Sequence, residues 1–186
     1  MKKLLHYTVL HQYYRSLCNF SNSKKNLLLA ISIFFSGVLY AQAPSNDLCA
    51  DATSITCGAT VTGDTSQATN TGDPMDDCGT ANGAPGVWYS LTGNGDIVTL
   101  GLCNSSFDTK IRVYSGDCNT LQCAGGNDDS CGLQSEVSFI SQPGTNYLVY
   151  VFGFGTNTGA FELTATCETP PDPPANDNCD IAIVVT

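Results

Sequence analysis

The sequence predicts an all-β protein, an antiparallel β-sandwich of jelly-roll type stapled by disulfides, and three observations predict it. Apolar residues recur with a period near two in segments bounded by Gly, Asn, Asp and Pro, which is the pattern of strands and turns. No stretch of ten or more residues after position 44 carries an amphipathic helical period. Nine cysteines follow an export signal with no CxxC pair among them, so their spacing reads as a disulfide framework rather than a metal site.

The clearest strands are Val87 to Thr92, Ile97 to Cys103, Thr109 to Ser115, Glu136 to Ile140, Tyr147 to Phe152 and Ala160 to Thr166. In Lys110-Ile111-Arg112-Val113-Tyr114 the cations flank Ile111 and Val113, which predicts one wet face and one dry face. Phe161, Leu163 and Ala165 alternate with Glu162, Thr164 and Thr166 in the same way. Tyr147 to Phe152 is apolar on both faces, as a central strand under cover is. Turn signals recur at intervals of about eight to twelve residues, as in Gly93-Asn94-Gly95-Asp96 and Pro143-Gly144-Thr145-Asn146, and a sandwich closes such a pattern. Trp88 is expected in the core rather than on a sugar-binding face, and Gly153-Phe154-Gly155 as a turn rather than a nucleotide loop, since no helix follows to receive a phosphate.

Residues 1–43 read as a secretory signal. Lys24 and Lys25 precede the apolar run Leu27 to Tyr40, which ends in Ala41-Gln42-Ala43 and is shorter than the roughly 20 residues that cross a bilayer. Cleavage after Ala41 is preferred to Ala43, which would leave Pro44 at the new N-terminus; a retained signal anchor is the alternative. Residues 44–168 form the module, residues 169–175 a proline-rich spacer, and residues 176–186 the start of a second, truncated repeat. That repeat is visible as Asn46-Asp47-Leu48-Cys49 recurring as Asn176-Asp177-Asn178-Cys179. The spacer holds four of the eight prolines, which favours extended polyproline backbone.

After Tyr40 the chain carries all 17 carboxylates, no histidine and only Lys110 and Arg112 as cations, a formal charge of −15. No serine or cysteine triad and no histidine zinc site is available there. Phosphate backbones and anionic lipid repel such a segment, so neither nucleic acid nor, after signal cleavage, a membrane is an expected partner. The only glutamates are Glu136, Glu162 and Glu168; Glu162 on a polar strand face and Glu168 in the linker suit solvation rather than acid–base work, so no enzymatic role is expected.

With Cys18 in the presequence and Cys179 in the truncated repeat, the module keeps an even set: Cys49, Cys57, Cys78, Cys103, Cys118, Cys123, Cys131 and Cys167. The local pairs Cys118 with Cys123 and Cys49 with Cys57 are expected, because short loops close at low entropic cost. Asp108, with Asn127, Asp128 and Asp129, gathers oxygen donors of the kind calcium takes, and a hairpin turn is the competing reading of Asn127 to Ser130.

The order Phe107-Asp108-Thr109-Lys110-Ile111-Arg112-Val113-Tyr114, Gly126-Asn127-Asp128-Asp129, Ser135-Glu136-Val137-Ser138-Phe139, Pro143-Gly144-Thr145-Asn146-Tyr147 and Gly159-Ala160-Phe161-Glu162-Leu163 resembles the bacterial pre-peptidase C-terminal domain over about residues 46–166. The Asn-Asp-x-Cys opening is similar to cysteine-rich modules found in tandem in large secreted Bacteroidetes proteins that use type IX secretion. The resemblance implies a non-catalytic β-sandwich attached to secreted peptidases, other hydrolases or adhesins, with calcium bound in some relatives. It also implies a second candidate cation site, in which Asn46 and Asp47 join Asp76 and Asp77.

The expected function is therefore a secreted or cell-surface binding, adhesion or spacing module, calcium-stabilised, contacting an extracellular protein or polysaccharide beside further repeats of the same chain. The alternative is an accessory domain of a secreted hydrolase or peptidase.

Overall fold

A computed structural model describes residues 42–172. The expected signal segment through Ala41, the end of the expected linker and the expected second repeat with Cys179 lie outside the described residues. A single 3-10 turn, Cys49–Asp51, precedes nine strands: β1 (Thr53–Ser54), β2 (Thr60–Asp64), β3 (Val87–Thr92), β4 (Ile97–Gly101), β5 (Thr109–Ser115), β6 (Gln122–Asn127), β7 (Glu136–Ile140), β8 (Asn146–Gly153) and β9 (Ala160–Glu168). They form a five-stranded sheet in the order β1-β3-β8-β5-β6 and a four-stranded sheet in the order β2-β9-β4-β7. Every pairing is antiparallel except the edge pair β1 and β3, so the expected sandwich is correct and the departure from antiparallel order is confined to a two-residue edge. Among the described residues no helix is long and apolar enough to cross a membrane.

The period-two pattern sets which side chains face the other sheet. Val87, Tyr89 and Leu91 of β3, Val149 and Val151 of β8, and Ile111 and Val113 of β5 meet Val98 and Leu100 of β4 and Phe161, Leu163 and Ala165 of β9. Each large side chain buried there contributes about 1.5–3 kcal/mol. Central β8 is buried on both faces, as its composition predicts.

A second core lies on the opposite face of the five-stranded sheet, where Trp88, Tyr114, Leu148, Tyr150 and Phe152 are buried with Cys78. Its lid has almost no regular structure. The chain around residues 44–52 and 74–84 lies across the strands, held by Trp88 N–H to Asn46 O at 2.8 Å and Ala84 N–H to Gly153 O at 2.9 Å. Trp88 is thus a core residue, its ring tilted against that of Tyr150 with centroids 4.8 Å apart, and its neighbour Tyr89 belongs to the other core.

This lid overturns the expected wet face of β5. Lys110 is 3 % exposed and Arg112 is 0 % exposed. Arg112 donates through Nε and Nη2 to Thr80 O (3.2 and 2.6 Å), through Nη1 to Pro74 O at 3.2 Å and through Nη2 to Asn82 Oδ1 at 2.9 Å, with the Phe152 ring 4.9 Å away. Lys110 Nζ donates to Ala81 O at 3.1 Å. A coil lid carries backbone carbonyls with no strand partner, and fixed cations beneath it satisfy them.

The disulfides also differ from the local pairs expected. Cys49 bonds Cys118, Cys57 bonds Cys167, Cys78 bonds Cys123 and Cys103 bonds Cys131, with Cα separations of 5.4 to 5.8 Å. Loop entropy favours short rings in the open chain, but the folded backbone decides which Cα atoms come close enough to bridge. Two bonds tie the lid to β6 and the turn before it. A third ties the β1–β2 connection to β9, and the fourth joins the loops following β4 and β6.

Strand β6, Gln-Cys-Ala-Gly-Gly-Asn, has no alternating pattern and was not expected. A methyl group on Gly126 would overlap the Cys78 carbonyl, so the glycines that remove strand character from this segment are what let the lid approach it.

Candidate cation sites

Pairing of β5 with β6 sets Ile111 opposite Asn127, so the residues just before β5 and just after β6 emerge side by side. Carboxylate oxygens of Asp108, Asp128 and Asp129 consequently lie within 4.8 Å of one another. Burial raises the Asp108 carboxyl pKa, the charges of Asp128 and Asp129 raise it further, and Lys110 opposes them. Lys110 Nζ is 3.2 Å from Asp128 Oδ2 and 5.0 Å from the Phe154 ring, which leaves one ammonium against three carboxylates. Asp108 Oδ1 and Asp128 Oδ1 are buried without a hydrogen-bond partner. Hard oxygen donors with two orphaned atoms fit a calcium ion. Asn127 Oδ1 accepts the Glu136 amide at 3.2 Å. Residues 127–130 are not a hairpin turn either, because β6 and the following β7 belong to different sheets.

The second candidate set separates. Asn46 Nδ2 donates to Trp88 O at 2.9 Å while Asn46 O accepts the Trp88 amide, so Asn46 acts as a backbone clamp. Asp47 accepts Thr69 N–H at 2.7 Å and Thr69 Oγ1–H at 2.6 Å. Asp76 accepts the Tyr114 hydroxyl at 3.1 Å, and Asp77 stands 4.0 Å from Arg112. Asp47, Asp76 and Asp77 do not form a group of carboxylates within 4.8 Å of one another. The carboxylate that does interact with Asp47 is Asp73, a residue of the same acidic stretch. Pro74, buried and bonded to Arg112, anchors Asp73 in the lid, but nothing in the stretch Asp73-Pro74-Met75-Asp76-Asp77 marks which aspartate turns inward.

Asp73 is half-buried with Oδ1 unpartnered, and burial pushes its pKa up to about 6; the Tyr150 hydroxyl opposes the shift and the Asp47 charge adds to it. Burial, with the charge of Asp73 beside it, raises the Tyr150 phenol in turn. An acid whose folded pKa exceeds its unfolded value near 3.9 stabilises the fold through its neutral form. That contribution is complete below the unfolded value and disappears as pH rises through about 6. With divalent ions chelated, the melting temperature is expected to fall between about pH 4.5 and 7.5, and Asp73→Asn to flatten that slope. An unchanged slope in the variant, read by thermal melts at each pH, would show that Asp73 does not carry it.

No family model matches the chain, and no curated protein matches it. Among solved structures the fold is similar to the crystal structure of the pre-peptidase C-terminal domain of collagenase from Bacillus anthracis. The TM-score is 0.41 at 17 % identity, covering 62 % of this chain and 94 % of that one.

Proposed function

We propose that this chain is an exported, non-catalytic β-sandwich module that acts by binding and is stabilised by calcium. It meets an extracellular protein or polysaccharide and stands in series with further copies of itself. The observation that carries the reading is the convergence of Asp108, Asp128 and Asp129 on one point of a module whose only two described cations are buried. Those three side chains would hold the ion, with Asp47 and Asp73 as a weaker second set. Extracellular calcium, at millimolar levels, matches the affinity range of such modules. The four disulfides support export to an oxidising compartment.

Calorimetric titration of the chelator-treated protein tests the metal. Heat of binding is expected together with a rise in melting temperature of several degrees at 10 mM calcium, since an ion at about 10 to 100 times its Kd adds about 1.4–2.7 kcal/mol. Asp129→Asn is expected to weaken that binding by tenfold or more while leaving the metal-free melting temperature within about 2 °C, because its side chain is exposed. No heat and no shift at 10 mM calcium, about ten times the concentration the affinity range requires, would remove calcium from the reading.

A further inference from the structure

We propose that the outer face of the four-stranded sheet docks a cationic polypeptide surface, one that presents Lys or Arg side chains. This deepens the binding role proposed above and rests on it. On β9 the outward positions are Glu162, Thr164, Thr166 and Glu168, since Leu163 and Ala165 face the core. Register places Thr60 beside Thr164, Thr99 between Thr166 and Ser138, and Ile97 between Glu168 and Ile140, with Glu136 across from Gly101. The face is thus a field of hydroxyls with carboxylates at its margins, and Asp64 on β2 adds a further one.

All three glutamates of the sequence stand on this one face, Glu168 as the last residue of β9 rather than in the linker where it was expected. Glutamate is disfavoured in strands, so three of them on strand positions are not accounted for by local propensity. Several loop aspartates cap turns: Asp117 accepts the Asn119 and Thr120 amides, and Asp96 accepts from Asn94; of the glutamates, Glu162 accepts from Asn104 Nδ2 at 2.7 Å. Lys110 and Arg112 lie under the lid of the other sheet, so among the described residues no cation neutralises this face.

The complement to such a field is positive charge. A second copy of the module lacks it and would be repelled. Polysaccharide recognition relies on aromatic platforms, and no aromatic side chain points outward here; Phe139 packs inward against Tyr147. The one apolar strip is aliphatic, Ile97 beside the 66 % exposed Ile140, adjoining Glu168. It matches the methylene stem of a lysine or arginine whose charged head reaches the carboxylate.

The test uses decalysine as probe, by calorimetry in 1 mM calcium at low and at physiological salt. A variant with Glu136→Gln, Glu162→Gln and Glu168→Gln is compared with one carrying Asp51→Asn, Asp96→Asn and Asp117→Asn, which removes the same charge elsewhere while Asn keeps the turn-capping oxygen. The glutamine variant is expected to bind about tenfold or more weakly, the asparagine variant within about threefold of the parent, and parental binding to weaken as salt rises. Amide shifts in the parent should localise to β4, β7 and β9. Equal losses in the two variants, or heat from a neutral glucan with none from decalysine, would overturn the proposal. Neither result touches the calcium titration, which judges the underlying reading by itself.

Discussion

Replacing Arg112 with Met is expected to lower stability by about 3–5 kcal/mol, the largest single-residue effect in this protein. The aliphatic part of the side chain is conserved in size, so the loss comes from the lid. Thr80 O, Pro74 O and Asn82 Oδ1 lose their donor together. Each orphaned buried acceptor costs about 1–3 kcal/mol, and breaking a buried charged network from one side costs about 3–5 kcal/mol. Asp77 adds little, because it is exposed and 4.0 Å away. Arg112→Lys should recover only part of the loss, since one ammonium cannot span the acceptors that the planar fork reaches. Trp88, the only tryptophan, lies beneath the same lid and reports the transition by fluorescence in urea. A midpoint unchanged in the Met variant would mean that the lid is held by its disulfides and its apolar contacts alone.

The second large effect is expected from the disulfide that joins Cys57 to Cys167, across 110 residues. Changing both to Ser should cost about 4.8 kcal/mol on the chain-entropy estimate, against about 3.6 kcal/mol for Cys103 and Cys131, which are 28 residues apart. Chemical denaturation of the two double variants gives the ranking, and the reverse order would show that native packing rather than loop length sets the contribution. Peptide mapping without reduction should recover the four long-range pairs. A peptide joining Cys118 to Cys123 would contradict the fold, because Cys118 reaches Cys49 and Cys123 reaches Cys78 under opposite ends of the lid.

The strands of the two inner faces were legible because each sets apolar residues at alternate positions, a pattern that any window of six residues displays. Val87 to Thr92, Thr109 to Ser115 and Glu136 to Ile140 form with the boundaries that their patterns predict. Strand β6 was hidden by Gly125 and Gly126, and β1 and β2 by their shortness and polarity. The acidic trio was legible for a related reason: Asp108 and Asp128 flank strands that a hairpin brings together. Asp73 was not, since choosing it among three nearby aspartates depends on how the lid is laid down.

By itself, the sequence determined the all-β class, the two-faced burial of β8 and the excess of carboxylates over cations, because these depend on composition and on local periodicity. The tertiary structure alone decided that the lid covers β5, that Lys110 and Arg112 are internal and which cysteines pair. Those outcomes rest on contacts between residues 28 to 110 positions apart. Whether a lysine on a strand meets water or a carbonyl depends on what the distant chain lays over it, and no local pattern carries that information.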